Sequence, residues 1–372
     1  MKLPERVAIV HEWFTSMRGG EKCVEVLCEL FPQATLFVLV HKKGSVSSTI
    51  ESMPIRTSFI QRLPFAERRY RHYLPLFPAA VEGFDMNEFD LVISSNHCVA
   101  KGVRTKPNTL HICYCHTPMR YVWDMYTEYF GRGRAGVATR IGMRLFLDKL
   151  RRWDVRTASN PHGYVANSQN IRSKIQKIYN RTADVIYPPV NTSLFQLSHR
   201  QGAYFLIISA FVPYKRIDLA IEALKRTGDT LIIVGDGPDA KRLKKMAAPN
   251  IEFMGWQPDE QLKELYAGCK AVVFPGEEDF GIVPVEAMAC GKPVIAFAKG
   301  GALETIVDSP SLKTGIAFQE QTVDSLIEAI RSCREGEFKP EELRAYACRF
   351  DREVFKQKMR EYVENKWREF KS

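Results

Sequence analysis

The feature that most constrains the fold of this chain is a regular alternation between short apolar segments and longer amphipathic ones. Short apolar runs are typical of strands buried on both faces, as in parallel sheets covered by helices. The alternation occurs twice and predicts two doubly wound α/β domains. The predicted strands are Val7–Trp13, Leu36–Val40, Leu91–Ser94, Leu110–Cys115, Gly163–Ala166, Tyr204–Ser209, Thr230–Val234, Ile251–Met254, Ala271–Phe274, Val294–Phe297 and Gly315–Phe318.

The domain boundary is predicted at two adjacent prolines, Pro188 and Pro189. They force an extended backbone after a predicted strand at Asp184–Tyr187, and a polar stretch follows. The sequence therefore predicts an N-terminal domain of residues 1–195 and a C-terminal domain of residues 196–350. Residues 351–372 are charged and helical and exceed what the second sheet needs, so we expect them to return to the N-terminal domain. Two domains facing each other would bind ligands between the carboxyl ends of their sheets.

The net charge of +10 is unevenly distributed. Residues 1–199 carry 27 basic and 16 acidic groups, whereas residues 200–372 carry 26 and 27. Two partners would fit such a basic half, namely nucleic acid and an anionic membrane surface. We favour the membrane, because the sequence contains no nucleic-acid-binding module and the basic residues interleave with aromatic ones. The first basic cluster comprises Arg56, Arg62, Arg68, Arg69, Arg71 and His72, and it interleaves with Phe59, Phe65, Tyr70, Tyr73, Leu74 and Phe77. The second basic cluster comprises Arg132, Arg134, Arg140, Arg144, Lys149, Arg151, Arg152 and Arg156.

Neither a membrane-spanning segment nor an export signal is predicted. A spanning helix needs about 18 apolar residues in succession, and no run here approaches that length. The nine cysteines are odd in number and form no C-x-x-C pair, so we expect reduced core thiols and no structural zinc site. The sequence thus predicts a cytoplasmic protein, peripheral on the inner face of the cytoplasmic membrane.

Two glutamates eight positions apart, Glu278 and Glu286, flank a predicted strand-to-helix turn. Gly281 lets the backbone approach a ligand, and the helix that begins near Ile282 directs free N–H groups and its positive dipole end at that ligand. A ligand with an anionic middle and hydroxyl groups at both ends fits this arrangement, and a nucleotide-diphosphate sugar is such a ligand. From these residues alone, an acidic surface loop before an ordinary helix is an equally good interpretation.

The stretch that begins at Glu278 resembles the signature of family 4 retaining glycosyltransferases. In that family two glutamates, separated by seven residues, precede an Ala-x-Ala-x-Gly-x-Pro-Val run, which here is Ala287-Met288-Ala289-Cys290-Gly291-Lys292-Pro293-Val294. The resemblance implies the GT-B fold, with two facing Rossmann-like domains. Further matching stretches are His11-Glu12-Trp13, Gly19-Gly20-Glu21-Lys22, Ser209–Arg216, Ile233–Pro238 and Gly300–Glu304.

The resemblance also implies roles for individual residues. Glu286 would bind the ribose hydroxyls of the donor, Glu278 would lie at the transferred sugar, and Lys215 would neutralise the leaving diphosphate. No metal or other cofactor is expected, and the chain contains no Asp-x-Asp pair. The implied catalytic residues are His116, Lys215 and Glu278, and the implied donor-binding residues are Gly19, Gly20, Lys215, Arg216, Gly235, Phe280, Gly281, Ile282, Val283 and Glu286.

Two features of the second half depart from a simple match. Family members usually carry an arginine five residues before the lysine, whereas this chain has Ala210, and Arg216 is a candidate to replace that charge. The stretch Gly235–Ala240 also satisfies the G-x-G-x-x-[GA] fingerprint of nicotinamide dehydrogenases. That fingerprint requires an acidic residue after the next strand, where this chain has Gly255-Trp256-Gln257, so we reject a dehydrogenase.

The first half supplies the candidates for acceptor and sugar binding. Gly19 and Gly20 precede a helix predicted near Glu21, and a flexible turn or a phosphate-binding loop would both explain them. His116 follows a central predicted strand and, by the resemblance, would bond the transferred sugar. His11 is a weaker candidate, and the aromatic stretch Tyr121–Phe130 would pack in the core or form an acceptor wall.

The function predicted from the whole sequence is that of a hexosyltransferase. Motifs from both halves most resemble bacterial enzymes of O-antigen and exopolysaccharide assembly, several of them mannosyltransferases. These motifs are His11-Glu12-Trp13, Gly19-Gly20-Glu21-Lys22, His116–Asp124 and Val212–Arg216. GDP-mannose is therefore the favoured donor, a UDP-sugar the alternative, and a lipid-linked or oligosaccharide glycan the expected acceptor. A sugar-nucleotide epimerase or hydrolase, and a non-catalytic basic binding protein, are the competing hypotheses.

Overall fold

The computed structural model describes residues 4–123, 137–309 and 311–372. Contacts divide the chain into two compact units. Unit 1 comprises Met1–Pro189 and Glu353–Ser372, and unit 2 comprises Val190–Arg352. No described helix is long and apolar enough to cross a membrane.

The first 189 residues contain seven strands, six α-helices and four short 3₁₀ helices among the described positions. The strands are β1 (Val7–Phe14), β2 (Thr35–His41), β3 (Ile55–Thr57), β4 (Leu91–Asn96), β5 (Leu110–Cys115), β6 (Gly163–Ala166) and β7 (Asp184–Val185). The helices are α1 (Gly19–Leu30), α2 (Ser48–Glu51), α3 (Ala66–Arg69), α4 (Phe77–Glu82), α5 (Val137–Arg156) and α6 (Gln169–Tyr179).

The remaining elements belong to unit 2, apart from the last helix. The strands are β8 (Tyr204–Ile208), β9 (Leu231–Val234), β10 (Ile251–Gly255), β11 (Cys269–Phe274), β12 (Val294–Phe297), β13 (Asp308–Ser309), β14 (Leu312–Lys313) and β15 (Gly315–Phe318). The helices are α7 (Ile217–Thr227), α8 (Ala240–Met246), α9 (Asp259–Gly268), α10 (Ile282–Ala289), α11 (Ala302–Thr305), α12 (Val323–Glu335), α13 (Pro340–Ala347) and α14 (Arg352–Lys371).

Each unit is built on one parallel sheet. The strand order is β3-β2-β1-β4-β5-β6-β7 in unit 1 and β10-β9-β8-β11-β12-β15 in unit 2. Both orders reverse direction once, between β1 and β4 and between β8 and β11. In open α/β sheets, ligands bind at the carboxyl ends of the strands beside such a reversal. The predicted pair of Rossmann-like α/β domains is confirmed.

The sheet of unit 1 is covered on both faces, which is why its strands are apolar throughout. One layer contains Val24 and Leu27 of α1, and the other contains Tyr70, Leu74 and Trp153. The last helix, α14, belongs to the α1 layer. Its buried residues, which join the unit 1 core, are Phe355, Met359, Tyr362 and Val363. The return of the C-terminal helix to the first unit is therefore confirmed.

Some boundaries differ from the prediction. Gly19 and Gly20 form the first turn of α1 instead of a loop before it. The edge strand β3 and the small β13–β14 hairpin were not predicted, because short strands with exposed residues have no buried apolar run. Tyr126, Tyr129, Phe130, Arg132 and Arg134 lie outside the described residues, as do the side chains of Arg140 and Arg144.

Candidate functional site

The sheet reversal of unit 2 brings two predicted residues into contact. Lys215 ends a short 3₁₀ turn after β8, and Glu278 lies in the loop after β11. Their side chains form an ion pair, with 14% and 22% of their surfaces exposed. The loops themselves are tightly packed, since a Cβ on Gly276 would lie 2.8 Å from the Cα of Lys215. An ammonium group and a carboxylate are thus held together at the edge where this fold binds ligands.

The helix α10 starts directly after this loop. Gly281, the residue immediately before this helix, has a φ of +91°. A Cβ atom at this position would lie 2.9 Å from the ring of Phe274. Only glycine adopts this conformation without strain. The preceding Phe280 is buried against Phe350, with ring centroids 5.6 Å apart, so its aromatic ring contributes to the core. The turn therefore presents the helix N-terminus through the backbone of Ile282 and Val283.

Glu286 lies one turn into α10 and is almost fully buried. The hydroxyl of Tyr266, on α9, donates a hydrogen bond of 2.7 Å to its Oε2. Burial raises the pKa of the Tyr266 hydroxyl, and the neighbouring Glu286 raises it further, so that this hydroxyl keeps its proton. Tyr266 was not singled out from the sequence, where it is one aromatic residue on a predicted helix.

The glycine-rich turn after β9 is shaped by packing. Gly235 has a φ of +130°, and a Cβ there would lie 1.9 Å from the carbonyl oxygen of Ser209. This close approach binds the turn to the loop that carries Lys215. Asp239, which ends the turn, pairs with Arg242 at 2.6 Å. The turn thus supports the neighbouring loop, and the donor-binding role of Gly235 stays a prediction.

Arg216 occupies a strained position at the start of α7, with a φ of +50°. Its guanidinium lies 3.6 Å from the carboxylate of Asp218 and donates a 3.3 Å hydrogen bond to Gln321. Gln321 in turn donates to the carbonyl of Pro275, directly after β11. Arg216 is therefore at the same edge of the sheet but is directed to different partners from Lys215. Whether it replaces the arginine absent at Ala210 stays a prediction.

The sheet reversal of unit 1 gathers a second polar cluster. His11 and Glu12 lie on β1, Ser95 lies on β4, and His116 follows β5. A Cβ on Gly20 would lie 3.4 Å from the ring of His11 and 3.8 Å from that of His116. The start of α1 therefore borders both rings. The sequence identified His116 and, more weakly, His11, but not Ser95.

Glu12 has a structural role in this cluster. Its Oε1 accepts four backbone N–H groups, from His97, Cys98, Val99 and Ala100, at 2.8–3.2 Å. Burial opposes its ionisation, but the charge and hydrogen bond of His97, together with the charge of His11, outweigh burial and hold the pKa of Glu12 well below its usual range. This carboxylate fixes the chain after β4.

Three of these groups, His11, Glu12 and His97, are close enough to share a metal ion. However, Nδ1 of His97 lies only 2.8 Å from Oε2 of Glu12. Two ligands of a tetrahedral zinc ion, each about 2.0–2.1 Å from the metal, would stand roughly 3.3 Å apart. The shorter distance fits a direct charge-assisted contact between the two side chains.

Comparison with known proteins identifies unit 2. Residues 192–350 match the family described as "Glycosyl transferases group 1". Unit 2 thus matches a group 1 glycosyltransferase domain over nearly its whole length. It contains Lys215, Glu278 and Glu286, and the polar cluster of unit 1 lies outside the matched residues.

Several curated glycosyltransferases match parts of the chain. An uncharacterized glycosyltransferase of Methanocaldococcus jannaschii is 32% identical over 157 residues, which cover 40% of this chain and 44% of the relative. A GDP-mannose-dependent phosphatidylinositol monomannoside mannosyltransferase of Mycolicibacterium smegmatis is 36% identical, covering 33% and 36%. An O-antigen chain mannosyltransferase of Salmonella typhimurium is 34% identical, covering 34% and 40%. The chain thus spans less than half the length of these relatives.

Solved structures match over a greater length. The structure of Anabaena Alr3699/HepE in complex with UDP and glucose has a TM-score of 0.70 at 18% identity, covering 96% of this chain and 99% of that one. Sucrose-phosphate synthase from Thermosynechococcus elongatus has a TM-score of 0.71 at 18% identity, covering 97% and 98%. This likeness shows the fold, which is that of GT-B glycosyltransferases.

Proposed function

We propose that this chain is a retaining family 4 hexosyltransferase that moves a hexose from a nucleotide-diphosphate sugar to a glycan acceptor. The observation that carries the proposal is the contact between Lys215 and Glu278 beside the start of α10. These groups lie within the residues that match the glycosyltransferase family. One cation, one helix N-terminus and two carboxylates there fit the diphosphate, the sugar and the ribose of such a donor.

In the proposed reaction, the bond between the anomeric carbon and the phosphate oxygen breaks while a bond to the acceptor oxygen forms on the same face. The acceptor proton passes to the departing phosphate oxygen. Negative charge grows on the diphosphate, and Lys215 together with the N–H groups at the start of α10 would stabilise it. To do so, Lys215 must exchange Glu278 for phosphate. No metal ion is required in this scheme.

GDP-mannose is the proposed donor, because two of the relatives are mannosyltransferases and one of them uses GDP-mannose. The O-antigen relative also supports a lipid-linked or oligosaccharide acceptor in bacterial polysaccharide or O-antigen synthesis. The UDP bound in a structure of the same fold keeps a UDP-sugar as the alternative donor.

A thermal-shift panel with GDP-mannose, GDP, UDP-glucose and UDP tests the donor. A ligand at 100 times its Kd stabilises the folded protein by about 2.7 kcal/mol. The true donor and its nucleotide product should therefore raise the Tm clearly more than the other sugar nucleotide and its product do. We expect GDP-mannose and GDP to do so. The variant Glu286→Gln, which keeps the shape of the side chain facing Tyr266, should reduce this shift. A panel without any shift would contradict the proposal.

A sugar-nucleotide epimerase or hydrolase on the same fold is distinguished by its turnover. Either enzyme would consume the donor without any acceptor, whereas the proposed transferase needs one. A binding protein without activity would also tolerate loss of Glu278 and Lys215.

We further propose that unit 1 docks on an anionic membrane, where a lipid-linked acceptor would be found. The support lies in residues 59–77, named here the basic aromatic segment. Its buried residues, among them Ile60 and Leu74, anchor it in the unit 1 core, while Phe59, Phe65 and Leu76 are 47%, 69% and 41% exposed. The exposed cationic residues between them are Arg62, Arg68, Arg69 and Arg71.

Phe65 is the most exposed large apolar side chain of this segment. It has a φ of +54°, which costs a bulky residue conformational energy. The guanidinium of Arg69 lies 5.3 Å from its ring centroid, and Tyr73 donates a hydrogen bond to the neighbouring carbonyl of Pro64. A strained turn thus displays an aromatic ring among arginines, a combination that suits the interface of an anionic bilayer.

A further inference from the structure

Ser95 lies between two histidines at the sheet reversal of unit 1. Its Oγ is 2.8 Å from Nε2 of His116 and 3.1 Å from Nδ1 of His11. Ser95 is fully buried, and the neighbouring strands β1, β4 and β5 hold the three residues side by side. A buried hydroxyl has a single proton to donate, so the direction of its hydrogen bonds follows from the partners.

The backbone decides where the proton of His11 lies. Nδ1 of His11 is also 3.2 Å from the carbonyl oxygen of Ser95. A carbonyl oxygen only accepts, so Nδ1 of His11 must carry a proton to bond it. This holds whether the ring of His11 is neutral or charged. Nδ1 of His11 therefore cannot accept the hydroxyl proton of Ser95.

The hydroxyl proton of Ser95 is then available to His116. To accept it, Nε2 of His116 must carry a lone pair, and a neutral imidazole then carries its proton on Nδ1. The neutral form prevails because burial, helped by the charges of His97 and His11, lowers the pKa of His116 to about 3.

We propose that Ser95 is a positioning residue that holds His116 as its Nδ1–H tautomer and so makes Nδ1–H the group that bonds the ligand. If the proposed function is right, the acceptor of this bond is a hydroxyl or ring oxygen of the transferred sugar. His116 is then a neutral donor. It is not the base that takes the proton of the acceptor glycan, because its Nε2 is already engaged by Ser95.

Nitrogen NMR of the full chain labelled with ¹⁵N-histidine tests the tautomer directly, because protonated and bare ring nitrogens differ widely in chemical shift. In the wild type we expect a protonated Nδ1 and a bare Nε2 at His116, unchanged between pH 6 and 8. In Ser95→Ala the two tautomers should mix. A protonated Nε2 in the wild type, or the same tautomer in Ser95→Ala, would overturn the proposal.

The neighbouring serine provides a matched control. Ser94 lies on the same strand and its Oγ is 2.9 Å from Nε2 of a different histidine, His111. Ser94→Ala removes a buried Ser–His hydrogen bond from the same strand and should leave the spectrum of His116 unchanged. If Ser95→Ala fails to fold, Ser95→Thr keeps the hydroxyl and should retain the wild-type tautomer.

Activity gives a second readout. Ser95→Ala should lower kcat about tenfold and leave the affinity for the nucleotide product unchanged, because Glu286 and Lys215, the side chains proposed to bind its ribose and diphosphate, lie in unit 2. Ser95→Thr should restore kcat. The tautomer is observed without substrate, so failure of the proposed function and failure of this inference give different results.

Discussion

At the scale of single residues, the chemistry of unit 2 depends on which partner Lys215 has. In the described structure that partner is Glu278. A diphosphate that binds at the start of α10 must compete with this carboxylate for the ammonium group. Both side chains are largely buried, so the diphosphate must replace this contact as it binds.

We therefore predict that Glu278→Gln binds the nucleotide diphosphate product about threefold more tightly while its kcat falls. The amide no longer competes for Lys215, but it also no longer supports the sugar. Isothermal titration and steady-state kinetics measure the two effects. Glu277→Gln is the matched control, because Glu277 pairs with Lys299 at 2.9 Å and is more exposed. Equal or weaker product binding by Glu278→Gln would contradict this account.

At the scale of elements, the C-terminal helix α14 completes unit 1. In the sequence, the whole of unit 2 lies between this helix and the other elements of unit 1. Phe355 and Met359 are buried in the layer that also contains α1. The nearby Lys356 pairs with Glu29 of α1 at 3.1 Å. The helix therefore closes one face of the first sheet, and its loss would expose that apolar face.

Met359→Ala should destabilise unit 1 by about 2–5 kcal/mol, the usual cost of truncating a buried methionine. Lys358→Ala on the exposed side of the same helix should cost less than about 0.5 kcal/mol. Hydrogen exchange of the backbone amides shows where the destabilisation occurs. The amides of β1 and β4 should lose protection, whereas those of β8 and β11 should keep it. Equal loss in both units would show that the helix does not act on unit 1 alone.

The same elements show what sequence patterns can predict. Strands such as Val7–Phe14 and Tyr204–Ile208 were found within one residue at their ends, because burial on both faces requires continuous apolar runs. The bond from Tyr266 to Glu286 was not predictable, because it joins two helices through contacts that no local pattern encodes. Ser95 was missed for the same reason. A buried serine in a strand gives no sequence signal until the neighbouring strands bring it to the two histidines.

At the scale of the whole molecule, the net charge differs more between the two structural units than between the two halves of the sequence. Unit 1, including its returning helix, carries 33 basic and 20 acidic residues, whereas unit 2 carries 20 and 23. The net charges are thus +13 and −3. Of the seven large apolar side chains that are exposed among the described residues, five belong to unit 1. Charge and exposed apolar surface therefore coincide in the unit proposed to meet the membrane.

We predict that the protein sediments with vesicles containing anionic lipid and not with purely zwitterionic ones. The variant Phe65→Ser should bind the anionic vesicles several-fold more weakly, since it loses the apolar contact but keeps the arginines, and added salt should weaken both proteins. The control is Trp256→Ser, because Trp256 is 72% exposed but lies in unit 2. Equal loss from both variants, or binding to neutral vesicles alone, would contradict the assignment of this surface.

The return of the last helix to the first unit has a consequence for synthesis. The ribosome completes the sheet of unit 1 first, then makes all of Val190–Arg352, and only then releases the 20 residues of α14. At about 5–20 residues per second, the interval is on the order of 10–30 s. During that time unit 2 is being made and the α1 layer lacks its closing helix. The nascent chain must therefore pass through a stage in which all of unit 2 has been synthesised while unit 1 still lacks its last helix.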